Sequence, residues 1–109
     1  MPQTGEPFER IRVQRGHELL SEKDLAWIDV REPAEWEKGH IPGAILVPLN
    51  RFLLSPRQYL SGDAAVFYCA QGIRSAVACE LAAAIGLRRI FNLEGGIQEW
   101  ASEGFPVEL

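Results

Sequence analysis

The 109-residue chain predicts an α/β fold, a mostly parallel sheet of about five strands flanked by helices on both faces. Three observations carry that expectation. The runs "LAWIDV", "AILVPL" and "AAVFY" are compact and apolar, as strands covered on both sides must be. Segments with helix start and stop signals alternate with them. The length suits a single domain over 1–109, without internal repeat, low-complexity tract or linker.

In chain order, "ERIRV" (9–13) alternates and reads as a short strand, with "QRGHELLSEKD" (14–24) as a brief helix after it. "LAWIDV" (25–30) is a strand that ends on polar Asp29. "REPAEWEKG" (31–39) offers Pro33 at a helix start and Gly39 at its stop. "AILVPL" (44–49) is the third strand. Asn50 is placed to cap "RFLL", and Ser55 with Pro56 restarts a helical turn through "RQYL". "AAVFY" (64–68), bounded by "SGD", is the clearest strand. Gly72 to Ile85 is the clearest helix, with Val77, Leu81 and Ile85 at i, i+4 and i+8 and Gly86 after it. "RIFNL" (89–93) is the last strand and "IQEWASEG" (97–104) the last helix.

The composition is that of an ordinary globular domain, 47% hydrophobic and 24% charged. Eleven basic against fifteen acidic residues give a formal charge of −4, which argues against a nucleic-acid surface. No stretch reaches the ~20 apolar residues that span a bilayer. The opening "MPQTGEPFERIRV" lacks the basic head and apolar core of a signal peptide, so a cytoplasmic location with reduced cysteines is expected. A local bridge between Cys69 and Cys79 is not expected either. Cys79 would lie roughly 9 Å up the helix, beyond the ~7 Å between Cα atoms that a disulfide tolerates. His17 and His40 stand far apart, and no metal site or cofactor is implied.

The segment "FYCAQGIRS" sets a cysteine where a strand ends and a helix begins. In a parallel α/β sheet this is the edge where ligands bind, and Asp29 should end its strand on the same edge. Gly72 allows a sharp turn, so that N–H groups of the loop and the first helical turn converge on one point and favour an anion there. The available anion is the Cys69 thiolate, whose pKa should fall and whose nucleophilicity should appear near neutral pH. Arg74 then offers a cation to an anionic substrate or a salt bridge that holds the loop. Cys79, in mid-helix among alanines, reads as a small core hydrophobe.

"IDVREPAEWEKGHIPGAILVP", "CAQGIRS" and "NLEGGIQEWASEGFPV", in that order, resemble the rhodanese-like domain, from about Phe8 to Val107. The resemblance implies a parallel five-stranded sheet. It also implies a thiosulfate sulfurtransferase-like enzyme that moves a sulfane sulfur from thiosulfate or another donor, through a cysteine persulfide, to cyanide or a thiol. Carried over by position, Cys69 bears the persulfide, and Ala70, Gln71, Gly72, Ile73 and Arg74 form the cradle around it. Asp29 and Arg31 lie beside the loop, with Arg31 expected to pair with a carboxylate such as Glu35 or Glu94. Gly39, His40, Pro42 and Gly43 are turn-makers, and Gly95, Gly96 and Trp100 shape the last turn. The partners implied are a small-molecule donor and acceptor, or a protein persulfide, with neither nucleic acid nor membrane involved.

Two other readings share these residues. The protein tyrosine phosphatases, their rhodanese-fold relatives and some arsenate reductases use a similar loop but keep five residues between Cys and Arg, whereas four intervene here. Tyr68 also stands where the phosphatases commonly carry histidine. A sulfur-relay or regulatory module, loaded and unloaded by protein partners, is the second. The chain departs from the thiosulfate enzymes in carrying Ala70 and Gln71 where they tend to have basic residues, and it lacks the "GSG" pattern associated with mercaptopyruvate. Donor identity is left open at this point.

Overall fold

A sheet of strands in the order β1-β5-β4-β2-β3, every pairing parallel, forms the centre of the computed structural model, which describes residues 5–109. In sequence the elements are β1 Glu9–Ile11, α1 Val13–Leu19, β2 Ala26–Asp29, α2 Pro33–Glu37, β3 Ile45–Leu46, α3 Leu49–Leu54, a 3₁₀ turn Pro56–Tyr59, β4 Ala64–Tyr68, α4 Ile73–Ala84, β5 Arg89–Leu93 and α5 Gly96–Ser102. The α/β expectation holds, and all five strands and the main helices lie where the apolar runs and stop signals put them. The first four residues of "MPQTGEPFERIRV" lie outside the described part of the chain.

The sheet divides two apolar clusters, because successive side chains of a strand point to opposite faces. On one face Ile28, Val30, Ala65, Phe67, Cys69 and Ile90 meet Phe52 of α3 and Ala78, Cys79 and Ala82 of α4. On the other, Trp27, Val66, Tyr68, Phe91 and Leu93 meet Val13 and Leu19 of α1 and Ile97 and Trp100 of α5. Among the described residues no helix is long and apolar enough to cross a membrane.

Four local expectations are corrected. β1 stops at Ile11, since Arg12 is already the N-cap of α1. β3 is a two-residue edge strand, not a run over 44–49, because only Ile45 and Leu46 find ladder partners before Pro48. Asn50 does not cap α3: the helix starts at Leu49 after Pro48, without a side-chain cap. In α4 the buried face is Ser75, Ala78, Cys79 and Ala82, and Val77 is 44% exposed. The larger residues at i, i+4 and i+8 do not form the buried stripe. Small residues turn inward there and let the helix lie close on β4 and β5.

Candidate active site

Parallel strands bring the ends of β2 and β4 side by side. Asp29 pairs in register with Tyr68, and the Val30 N–H donates to the Tyr68 carbonyl at 3.0 Å. The pleat then parts the two candidate residues. Tyr68 faces α1 and α5, while Cys69 faces α3 and α4. Asp29, two residues after Trp27, shares the Tyr68 face.

Beyond Tyr68 the chain turns at Gly72, whose φ of +93° lies in the region that favours glycine, and a Cβ there would sit 3.3 Å from the Leu93 carbonyl oxygen. The turn directs several donors at one sulfur. The Gly72 N–H reaches Cys69 Sγ at 3.2 Å, the Ser75 N–H at 3.4 Å, and the Ser75 hydroxyl lies 3.4 Å away. Carbonyls that would repel an anion are tied off outside the cradle. The Ile97 and Gln98 N–H groups of α5 donate to the Cys69 and Ala70 carbonyls at 3.0 and 3.2 Å. That contact requires Gly96, because a Cβ there would lie 2.4 Å from both carbonyl oxygens.

Cys69 is 1% exposed, and burial alone would push its pKa up. Hydrogen bonds at the sulfur, the backbone N–H groups of Ser75, Gln71 and Gly72 among them, outweigh burial, and the pKa falls below that of an ordinary thiol. At the end of a strand, a buried sulfur surrounded by donors can hold negative charge, and the Arg74 guanidinium interacts with it electrostatically.

The two arginines named from the sequence have structural partners. Arg74 donates from both terminal guanidinium nitrogens to Glu35 of α2, at 2.8 and 2.9 Å. It holds the Glu35 carboxyl at a pKa of about 2. Glu35 also closes a capping box with Glu32 at the start of α2, so the loop after β4 is fastened to the helix after β2. Arg31 pairs with Asp29, not with the side chain of Glu35 or Glu94. Its Nε lies 2.9 and 3.0 Å from the two carboxylate oxygens, and Nη2 reaches Oδ2 at 2.7 Å and the Gly39 carbonyl at 2.7 Å. This buried pair lies against the Tyr68 ring and secures the turn at Gly39, away from the sulfur. His40 stacks on Trp36, with ring centroids 3.6 Å apart.

Beside the cradle lies an open groove of about 320 Å³, lined by Arg10, Gln71, Gly72, Ile73, Ala76, Glu94 and Gly95. Arg10 is engaged by Glu6 and Glu94. Gln71 is exposed and donates to Gln98 at 3.2 Å, and Ile73 is 72% exposed at the rim. Ser75 and Asn92 were not picked out from the sequence. Ser75 follows Arg74 in the first turn of α4. Asn92 is a polar residue inside the buried strand "RIFNL", which is itself a signal, because a fully buried amide must find partners.

A parallel sheet whose central strand ends in a cysteine ringed by backbone amides defines a rhodanese-like domain. The model of that family, the rhodanese-like domain, matches residues 13–103, and the chain belongs to it. The chain is 35% identical to a sulfurtransferase of Allochromatium vinosum over 82% of its own length and 83% of the relative's. A rhodanese-related protein of Thermoplasma volcanium superimposes with a TM-score of 0.82 at 36% identity, over 94% of this chain and 99% of that one. A Rhodopseudomonas palustris protein described as of unknown function and a possible tyrosine phosphatase superimposes with a TM-score of 0.81 at 31% identity, over 93% of this chain and 85% of that one. Several other curated relatives are longer, and the chain spans 23% to 60% of their lengths.

Proposed function

We propose that this domain is a sulfurtransferase in which Cys69 carries the sulfur. The observation that carries the proposal is the convergence of the Gly72 and Ser75 N–H groups on a buried Sγ whose own carbonyl is turned away. With thiosulfate the Cys69 thiolate attacks the outer sulfur. The S–S bond of the donor breaks, its electron pair leaves with sulfite, and a Cys69 persulfide anion remains. Cyanide then attacks the outer persulfide sulfur, forming thiocyanate and returning the thiolate. Gln71, Gly72 and Ile73 border the place the outer sulfur would take, and their backbone supplies the stabilisation such an anion needs. Sulfurtransferase chemistry in a relative at 35% identity and 82% coverage supports the same reading.

A specific observation favours a persulfide relay over thiosulfate turnover. Arg74 after the loop and Arg10 in the groove beside it are each bound to carboxylates, and Arg31 is paired with Asp29. A dianionic donor would meet an anionic cysteine without an uncommitted cation among them, whereas a thiol persulfide brings less charge. With such a donor, RSSH and the Cys69 thiolate give the Cys69 persulfide anion and RSH, the proton passing to the departing thiolate. The two free cysteines suit a reducing, cytoplasmic compartment.

The four residues between Cys69 and Arg74 form a narrower loop than a phosphate-binding one. Intact mass measured after a sulfane donor, and again after cyanide, tests the proposal: one added sulfur atom that disappears is expected. Hydrolysis of p-nitrophenyl phosphate dependent on Cys69, with no sulfur uptake, would overturn it in favour of a phosphatase.

A further inference from the structure

Behind the cradle four groups close a buried ring. Gly72 N–H donates to Cys69 Sγ at 3.2 Å, Sγ lies 3.4 Å from Ser75 Oγ, Ser75 Oγ lies 2.5 Å from Asn92 Oδ1, and Asn92 Nδ2 donates to the Gly72 carbonyl at 3.1 Å. Asn92 and Ser75 are both fully buried. The direction of every bond follows from chemistry. The Gly72 carbonyl can only accept, so the amide nitrogen of Asn92 faces it and the amide oxygen faces Ser75. That oxygen can only accept as well. The single hydroxyl proton of Ser75 is therefore committed to Asn92, and Ser75 turns a lone pair toward the sulfur.

A lone pair suits a thiol, whose S–H can donate to it, and opposes a thiolate. Ionised Cys69 gains the hydroxyl as a donor only if Ser75 rotates its proton off Asn92 and leaves the amide oxygen unpaired in a dry interior. A persulfide makes no such demand. Its Sγ is an uncharged, divalent sulfur, singly bonded to Cβ and to the outer sulfur, and the charge sits on the outer atom, which the backbone amides hold. We infer that Asn92 is a positioning residue that withholds the Ser75 proton from Cys69, raising the free thiolate in energy and favouring the sulfur-loaded form. Sequence distance hides this relation, since Asn92 lies on the neighbouring strand 23 residues beyond Cys69.

The inference rests on Cys69 as the sulfur carrier, so the first measurement is one that needs no sulfur donor. Ultraviolet titration of the thiolate in a Cys79→Ser background reads the Cys69 pKa directly. Asn92→Leu, close in shape but without an acceptor, frees the Ser75 hydroxyl. The pKa should drop by about half to one unit, the worth of one hydrogen bond recovered by the anion. In a Ser75→Ala background the same substitution should leave the pKa unmoved. A pKa that stays or rises in Asn92→Leu overturns the inference, because a residue that only braces Gly72 would weaken the cradle when removed.

Should Asn92→Leu fail to fold, Ser75→Ala decides. A pKa no more than about half a unit above the parent is expected, as the hydroxyl gives the thiolate no hydrogen bond to lose, whereas a larger rise would make Ser75 a plain donor to the thiolate and overturn the inference. The loaded form is then read by mass at a fixed ratio of thiosulfate to sulfite, above the Cys69 pKa. Asn92→Leu should load about 3- to 10-fold less, the same half to one unit expressed as an equilibrium constant. Unchanged loading beside a lowered pKa overturns the link to sulfur retention. A complete lack of loading in the parent protein fails the sulfur-carrier assignment instead.

Discussion

Cys69 and Cys79 differ by ten positions and share one apolar face of the sheet, with side chains 1% and 0% exposed, yet their chemistry diverges. Cys79 lies mid-helix, where its thiol donates to the Phe91 carbonyl at 3.5 Å, and burial pushes its pKa up. Cys69 lies where a strand has ended and a helix has not yet closed its first turn, so unpaired N–H groups surround it. Burial acts upward on it too, and the donors overcome it. The difference teaches that burial does not decide whether a cysteine is inert. What decides is whether the backbone around it still has protons to give.

The largest effect expected separates the two directly. Cys69→Ser should abolish thiocyanate formation from thiosulfate and cyanide, because a serine oxygen cannot hold the transferred sulfur, while circular dichroism stays that of the parent. Cys79→Ser should retain most of the activity. The reverse outcome would break the comparison.

Second in size is the separation of reactivity. At pH 7 an ordinary thiol of pKa ~8.5 is about 3% thiolate, and Cys69 should exceed that. Iodoacetamide labelling followed by peptide mapping should modify Cys69 with an inflection below that reference. Cys79 should react only once the protein unfolds. Equal labelling of the two in the folded state would show that the cradle does nothing for the thiolate.

Much of this contrast was legible in the chain. A cysteine after "AAVFY" and before a glycine and an alanine-rich helix is a strand-to-helix junction on local signals alone, and Cys79 read as a core residue by its neighbours. The strand runs and glycine stops likewise placed the sheet. What escaped was set by contacts distant in sequence. The partner of Arg74 is Glu35, 39 residues earlier, and the partner of Ser75 is Asn92, 17 residues later. Arg31 is the exception: its partner Asp29 is only two residues away, but nothing in the pattern tells an arginine which of several carboxylates it will meet. The buried stripe of α4 does not follow apolar size, because close helix–sheet approach selects the small side chains of Ser75, Ala78, Cys79 and Ala82.

The Arg74–Glu35 strut gives a third, smaller effect. The Glu35 carboxyl, at a pKa of about 2, is depressed from its usual value near 4.5, first by the hydrogen bonds from Arg74. Its contribution to stability is therefore present above pH 4.5 and lost as the pH falls toward 2. Glu35→Gln keeps the capping box and removes the charge. Because the pair is about one-third exposed, with side chains at 37% and 34%, solvent screening limits the difference to about 1 kcal/mol. Denaturant titrations at neutral pH and near pH 2 should show the parent losing that much more stability than the variant across the interval. Parallel losses in both proteins would mean that the strut does not hold the loop. They would leave Arg74 available for an anionic donor.

Donor choice supplies an effect of similar size and sharpens the contrast at its chemical end. Thiosulfate must bring two negative charges to the Cys69 thiolate. At ~4 Å and an effective dielectric near 20, each pair of unit charges is worth about 4 kcal/mol before screening. Arg74, held at 2.8 and 2.9 Å by Glu35, cannot turn its charge fully to the donor. Gln71 lies exposed on the groove beside the sulfur with only a 3.2 Å bond to Gln98 to hold it. Gln71→Lys puts a cation there at little structural cost. KM for thiosulfate should fall about tenfold at low ionic strength, equivalent to ~1.4 kcal/mol at a partly screened site. The gain should shrink as salt rises past the concentration at which the Debye length is ~10 Å. A bulky persulfide donor of low charge should gain little from the same change. An unchanged KM for thiosulfate at low salt would mean that position 71 does not face the donor, and the paired arginines would then no longer explain donor choice.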